Sequence, residues 1–464
     1  MGLVTGDKGV KNLIKSEFPN SVRSFDSIES ARIASGHRAE QAAVLLDGNV
    51  MINQVPTAVD DIDGYIRIFS GYVRAGLAAA DHVVVVFDEP QTLTKAKAAE
   101  QRRRDASRSK TVPVMSTDLE DQFAPTTDSY GVDVVERCNP HHLLKNRAAR
   151  PRFYDELVKR TMQLLDVAST HKMLTFDGID GRGAARPSGV DREAGMFSSS
   201  SGVAALLARS ADAAPVGEGD LKLTEVSSVI QALRNDGIFF DAVEIIFVCT
   251  IDTDSIAIEL INQTTKTVAA IESKKEGTTT GRMIKSVLCF RETSGKRSAD
   301  QFPSTTFACI DLAILERLLM KKLFGASWAV HHDLHRHAAA LLVAGWALGG
   351  CDFVRLAGLR ADVVMETVVE IAQTEPESLR QMDAAFSLTR ASTPYEVAVG
   401  RADMASAVEQ LLEIAAVKLG EMPRMQRACA SVKAAEDDVV AKASWVVCYW
   451  CGLEFTEIEE WGFD

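Results

Sequence analysis

Three short apolar runs, each ending on a carboxylate, constrain this chain more than any other feature. Ala42–Leu46 (AAVLL) runs into Asp47, His82–Phe87 (HVVVVF) into Asp88, and Val243–Ile251 (VEIIFVCTI) into Asp252 and Asp254. Nearly continuous runs this short, rich in Val and Ile, are typical of strands buried on both faces of a parallel sheet. Helix-forming stretches lie between them, such as Asp60–Ala80 and Pro151–Ala168, so the expected class is α/β with a mixed, mostly parallel sheet. In such sheets ligands sit at the carboxyl ends of the strands. Three strands that each deliver an acid to that edge imply one acidic cluster there.

Further acids join the set. Gly217-Glu218-Gly219-Asp220 contributes Glu218 and Asp220, and Gly349-Gly350-Cys351-Asp352-Phe353, after an apolar helix, contributes Asp352. Seven carboxylates in one pocket repel one another unless cations neutralise them. An all-oxygen donor set suits Mg²⁺ or Mn²⁺ rather than zinc. Two such ions about 3.5–4 Å apart stabilise both the attacking and the leaving oxygen in phosphodiester hydrolysis. Each acid alone has a plainer reading: a strand-end Asp caps the following helix, and G-E-G-D opens one. The order and spacing of the set favour the cluster.

The 464 residues suit one large or two ordinary domains, and 46% hydrophobic with 25% charged residues is enough to bury a sizeable core. No apolar run reaches the ~18 residues of a membrane span, and no basic-then-apolar leader opens the sequence. Eight cysteines at irregular spacings suit a reducing compartment. The expectation is an intracellular protein, nuclear or cytoplasmic, with no membrane partner. A net charge of −13 argues against nucleic acid until its distribution is seen. From Lys95 to Lys110 seven basic residues face two acidic ones, whereas from Ala434 onward eight acids accompany one lysine. The basic run (Lys95, Lys97, Arg102, Arg103, Arg104, Arg108, Lys110) is a candidate nucleic-acid surface, and equally the solvated face of a helix.

Other features leave alternatives open. Thr111–Asn139 and Gly178–Gly219 lack periodicity and read as loops, and from about Cys309 the chain turns helical and Ala-rich. His331 and His335 have the spacing of a helical metal pair but no partner pair nearby in sequence, so packing is the simpler reading. Cys448-Tyr449-Trp450-Cys451 is a lone C-x-x-C, more in keeping with buried thiols than with zinc. The tail, with Glu454, Phe455, Ile458, Glu459, Glu460, Trp461 and Phe463, alternates acidic and bulky apolar residues and suits docking on a protein partner or on its own core.

Taken in order, these motifs resemble the flap endonuclease/XPG nucleases and their relatives, the 5′-to-3′ exoribonucleases. The likeness begins at Met1-Gly2-Leu3 and Lys11-Asn12-Leu13-Ile14 and continues through V-L-L-D at Asp47 and V-F-D at Asp88. Lys95 and Arg102 follow Asp88 at the offsets of the family's phosphate-binding lysine and arginine. G-E-G-D at 217–220 is similar to the G-E-G-E of the exoribonucleases, D-T-D at 252–254 to the family's D-x-D, and Leu348–Phe353 to its L-x-G-x-D-[YF] element. The departures are Arg360 in place of the second glycine of a G-I-G-type hairpin, Glu89 after Asp88, and a long span from Asp88 to Glu218. The tail is acidic, and no clamp-binding box is present.

The resemblance implies a PIN-like nuclease core in residues 1–308, with a basic arch-like segment at 89–150 and a loop at 178–217. A helical region at 309–464 would follow, holding a hairpin-like element at 349–370 and the acidic tail. It implies two Mg²⁺ or Mn²⁺ ions on Asp47, Asp88, Glu218, Asp220, Asp252, Asp254 and Asp352. Lys95 and Arg102 would engage the scissile phosphate. Lys97, Arg103, Arg104, Arg108, Gly358 and Arg360 would contact nucleic acid. The leading expectation is a 5′ nuclease acting on branched or 5′-ended DNA. An RNA nuclease is the alternative, favoured by G-E-G-D, by Asp47-Gly48-Asn49 and by Asp352-Phe353. A third is a nuclease-like structural or nucleic-acid-binding protein with little activity.

Overall fold

A computed structural model describes residues 9–87, 139–145, 150–165, 172–177, 196–198, 219–235, 240–275, 283–293, 305–351, 353–354, 356, 358–387, 394–422, 425–435 and 437–450. The strands are β1 (Val22–Phe25), β2 (Ala42–Asp47), β3 (His82–Val86), β4 (Met173–Asp177), β5 (Met196–Ser198), β6 (Ile245–Thr250), β7 (Lys285–Thr293) and β8 (Thr305–Asp311). The helices of the N-terminal half are α1 (Val10–Glu17), α2 (Ile28–Ala34), α3 (Gly48–Gln54), α4 (Ile62–Ala79), α5 (Pro140–Lys145), α6 (Arg150–Leu165) and α7 (Gly219–Asn235). After them come α8 (Asp254–Lys275), α9 (Leu312–Phe324), α10 (His335–Gly349), α11 (Ala361–Thr374), α12 (Asp383–Phe386), α13 (Pro394–Glu421), α14 (Gln426–Lys433) and α15 (Asp437–Trp450).

The strands form one sheet in the order β1-β8-β7-β6-β2-β3-β4-β5. Its five inner strands, β7-β6-β2-β3-β4, are parallel, and β1, β8 and β5 pair antiparallel at the two sides. The fold is therefore α/β with a mostly parallel mixed sheet. All three acid-terminated runs are strands, and β2 is buried at every position. The hairpin-like pair β7/β8 and the short β1, β4 and β5 carry weaker signals. β5 lies within the stretch read as a loop, and β8 crosses the expected boundary after residue 308.

Because successive strand residues face opposite sides, the sheet divides its side chains between two layers. Ala42, Val44, Leu46, Val83, Val85, Phe87, Ile245 and Phe247 pack against α2, α3, α4, α5 and α6. Ala43, Leu45, Val84, Val86, Ile246, Val248, Leu288 and Ile310 pack against α1, α7, α8 and α9, in a cluster that runs on through α10, α11 and α13 to α15. The C-terminal helices thus extend one face of the sheet rather than forming a separate core. Every residue from Asp254 to Ile261 is buried, so α8 is enclosed by its neighbours all round. No described helix is long and apolar enough to cross a membrane.

Candidate functional site

The strand order reverses direction between β2 and β6, the place where open α/β sheets hold their ligands. Asp47 closes β2 there. It pairs in register with Val86 of β3, and the preceding Leu46 pairs with Cys249 of β6. Asp252 and Asp254 follow the end of β6, and Asp88 lies two residues past the end of β3 in the sequence. Gly48 explains how the chain leaves β2 so closely beside β3: a Cβ there would lie 2.7 Å from the Val86 carbonyl oxygen and 2.5 Å from the Phe87 ring.

Parity places Asp47 on the sheet face of Leu45, the face covered by α7 and α8. Both helices present an acid in their first turn, Asp220 in α7 and Asp254 in α8. The positive end of a helix dipole favours an ionised carboxylate at that position. A direct contact joins the two starts, because Ser255 Oγ donates to Asp220 Oδ1 at 2.6 Å. Asp252 Oδ1 accepts the Asp254 backbone N–H at 3.2 Å, and Thr250 Oγ1 accepts that of Asp252 at 3.0 Å. Asp47 and Asp254 are each only 6% exposed. Four of the seven predicted acids therefore border one edge of the sheet.

The plainer reading of Asp47 also holds: its Oδ1 accepts the Val50 N–H at 3.0 Å and caps α3. One carboxylate can cap with one oxygen and offer the other elsewhere, because each oxygen carries two lone pairs. The donors at this edge are oxygens throughout, the chemistry of a hard divalent cation. Among the described residues no group of three His, Cys, Asp or Glu side chains converges to hold a metal ion. Asp88, Glu218 and Asp352 lie outside the described residues, as do Lys95, Lys97, Arg102, Arg103, Arg104 and Arg108.

Beneath the edge runs a polar stripe that the strand-end motifs do not announce. Thr224 Oγ1 of α7 donates to Glu259 Oε1 at 2.7 Å, and Lys266 Nζ reaches Ser227 Oγ at 3.5 Å. Burial lowers the Lys266 pKa, and the Glu259 carboxylate opposes that shift. Further along, Glu316 Oε2 of α9 accepts from Thr267 Oγ1 at 2.7 Å and Gln263 Nε2 at 3.2 Å. Burial pushes the Glu316 carboxyl up to about 7, against the pull of those two hydrogen bonds. Ser255, Glu259 and Gln263 recur every fourth residue in a stretch of α8 that is otherwise apolar apart from Asn262, so they share one face. That spacing is the signal that could have found them.

The glycine-containing element after α10 folds back on the C-terminal helices. Gly358 keeps the left-handed backbone, φ +85°, that the hairpin comparison expects of a glycine. A Cβ there would come within 2.5 Å of the Ala428 Cβ of α14. Arg360 Nε donates to Asp362 Oδ1 at 2.8 Å, and its Nη2 pairs with Asp362 Oδ2. This fork-to-carboxylate pair offsets the arginine charge locally. The histidines disperse into packing. His335 Nε2 lies 2.8 Å from the Trp328 carbonyl oxygen, and its ring stacks on Trp328. His337 pairs with Asp383 at 2.7 Å. Cys448 is buried in α15, while Cys451 and the tail lie outside the described residues. In comparisons with known proteins, the chain matches no family model and no curated protein.

Proposed function

We propose that this chain is a divalent-metal-dependent 5′ nuclease that hydrolyses phosphodiester bonds in branched or 5′-ended DNA. The observation that carries the reading is the meeting of β2, β6, α7 and α8: Asp47, Asp220, Asp252 and Asp254 come to one edge at the point where the strand order reverses. The five parallel strands in the order β4-β3-β2-β6-β7 support reading the core as the PIN-like, flap-endonuclease type.

In this reading Asp47, Asp88, Glu218, Asp220, Asp252, Asp254 and Asp352 hold two Mg²⁺ or Mn²⁺ ions, directly or through waters. Bound ions of this kind neutralise the attacked phosphate and make a water nucleophilic at neutral pH. The chain's own contribution is arrangement. Asp220 and Asp254 lie in the first turns of α7 and α8, where the helix dipole favours a negative charge. Ser255 fixes the Asp220 carboxylate, and Gly48 lets the end of β2 lie against β3. Lys95 and Arg102 grip the scissile phosphate and offset charge that develops on it. Lys97, Arg103, Arg104 and Arg108 hold the nucleic-acid backbone.

A second reading, cleavage of RNA, uses the same acids. It is favoured by G-E-G-D at 217–220 and by the engagement of Arg360 with Asp362, which leaves that element less charge for gripping a duplex. One assay separates the two: matched DNA and RNA flaps, hairpins and single strands, each with Mg²⁺, Mn²⁺ or chelator. Metal-dependent cleavage of the DNA flap is the expected result. Preferential RNA cleavage moves the conclusion to the second reading, and cleavage that persists in chelator removes both.

A further inference from the structure

Cysteine inside a core ordinarily acts as a small apolar residue. Three of them here are arranged more specifically. Cys249 of β6 pairs in register with Cys289 of β7, and Cys289 pairs in register with Cys309 of β8. All three therefore share one sheet face, in a single row across three neighbouring strands. The Cys289 and Cys309 sulfurs are 3.3 Å apart, and Cys249 stands in register on the other side of Cys289. Exposure is graded along the row: Cys249 is half-buried, Cys309 is 4% exposed and Cys289 fully enclosed. The row does not form a metal site, since no three-ligand group occurs among the described residues.

We infer that Cys249, Cys289 and Cys309 form a thiol relay that converts a hydroperoxide-class oxidant into a Cys289–Cys309 disulfide. Cys249, the half-buried end, meets the oxidant. Its sulfur takes the terminal oxygen, the O–O bond breaks, and a sulfenic acid and one water (or alcohol) form. Cys289 then attacks the Cys249 sulfur. The S–S bond forms as the S–O bond breaks, and a second water leaves with the Cys289 proton. Cys309 attacks Cys289 from the side opposite Cys249, and Cys249 departs as a thiol carrying the Cys309 proton. In sum, two thiols are oxidised to one disulfide and one peroxide is reduced.

The geometry favours each step. Neighbouring strands lie about 4.7–4.9 Å apart, and in an antiparallel pair such as Cys289–Cys309 the Cα atoms are about 4.5–5.5 Å apart, inside the ~4.4–6.8 Å range that a disulfide spans. Exchange needs the attacking, central and leaving sulfurs close to a line, and three registered positions across β6, β7 and β8 supply one. The enclosed central sulfur is reached through the two outer ones. Burial holds the Cys289 thiol above its ordinary pKa, so its attack on Cys249 is the slow step and depends on the registered contact rather than on a ready thiolate.

The test uses the full reduced chain, hydrogen peroxide, differential alkylation before and after reduction, and peptide mass spectrometry. Expected in the wild type is a Cys289–Cys309 disulfide with Cys249 alkylated as a free thiol. Cys249→Ser slows formation of that disulfide by roughly tenfold or more, because the row then has no half-buried thiol to meet the oxidant. Cys309→Ser stops at a Cys249–Cys289 bond. Should Cys289 and Cys309 stay reduced in folded wild-type protein while other cysteines oxidise, the relay is wrong. Equal rates with Cys249→Ser, or a final Cys249–Cys289 bond in the wild type, overturn it as well. The wild-type arm reads out even if a variant fails to fold.

Discussion

Asp47 and Asp254 at the sheet edge are as enclosed as Glu259 and Glu316 within the helical layer, at 6%, 6%, 2% and 5% exposure, but the two pairs have different neighbours. Glu316 is met by a hydroxyl and an amide, and burial holds its proton on to about pH 7. Its role is to tie α9 to α8. Asp220 and Asp254 sit in first helical turns and Asp47 caps one, each at the positive end of a helix dipole. Glu316 is sealed by neutral donors, whereas Asp47 and Asp254 lie at helix starts, where a negative charge is supported, as the proposed cation site requires.

The largest effect expected from that contrast is on turnover. Asp254→Ala and Asp88→Ala should each lower cleavage at least about a hundredfold, the scale of removing one preorganised charge-stabilising group. Nucleic-acid binding should survive, since losing a carboxylate relieves repulsion of phosphate. Near wild-type rates in both variants would erase the distinction between the two groups of acids.

Glu316 gives the next effect, on stability. Its folded pKa is raised from 4.5 to about 7, so the unfolded chain gives up the proton first as pH rises. Stability is therefore lost between pH 4.5 and 7 and stays lower above that window, by on the order of 3 kcal/mol. Glu316→Gln should remove this slope and be the more stable form at pH 8, with the difference fading at pH 4. Urea melts at the two pH values read it directly. A variant less stable at pH 8 but not at pH 4 would mean that Glu316 is kept for its charge.

Ser255→Ala tests the link between the helix starts. Loss of the hydroxyl that holds Asp220 should lower kcat by about tenfold, near the ~1–1.5 kcal/mol of one such hydrogen bond, with KM and melting little changed. An unchanged kcat would leave Asp220 outside the working site. The smallest effect is expected from replacing Arg103, Arg104 and Arg108 by Ala. The slope of log affinity against log salt should then fall by about 0.7–0.9 for each phosphate that the protein no longer neutralises. An unaltered slope would move the binding surface elsewhere.

Much of the fold is legible where burial is complete. β2, β3 and β6 lie in the middle of the sheet, so their sequences are nearly uniform in Val, Ile and Leu and can be read directly. β7 (KSVLCFRET) and β8 (TTFACID) form the antiparallel side, where polar residues interrupt the runs and blur the strand signal. β5 has three residues in a Ser- and Gly-rich stretch and carries almost no pattern. At the candidate site the strand-end acids are legible because turn geometry fixes where they emerge. Ser255 and Glu259 are legible only as a fourth-residue polar spacing, and what they bind, Asp220 and Thr224, is set by the packing of α7 on α8.

The most direct test uses the double character of Asp47. Asn caps a helix as well as Asp does, so Asp47→Asn preserves the hydrogen bond to Val50 while removing the anionic ligand. Cleavage of a 5′-labelled flap in Mg²⁺ is to be measured beside thermal melting in chelator. If Asp47 is a metal ligand, cleavage collapses and the metal-free melting temperature is kept or raised. Full cleavage by Asp47→Asn, with only Asp47→Ala impaired and that variant also less stable, would make Asp47 a helix cap and nothing more.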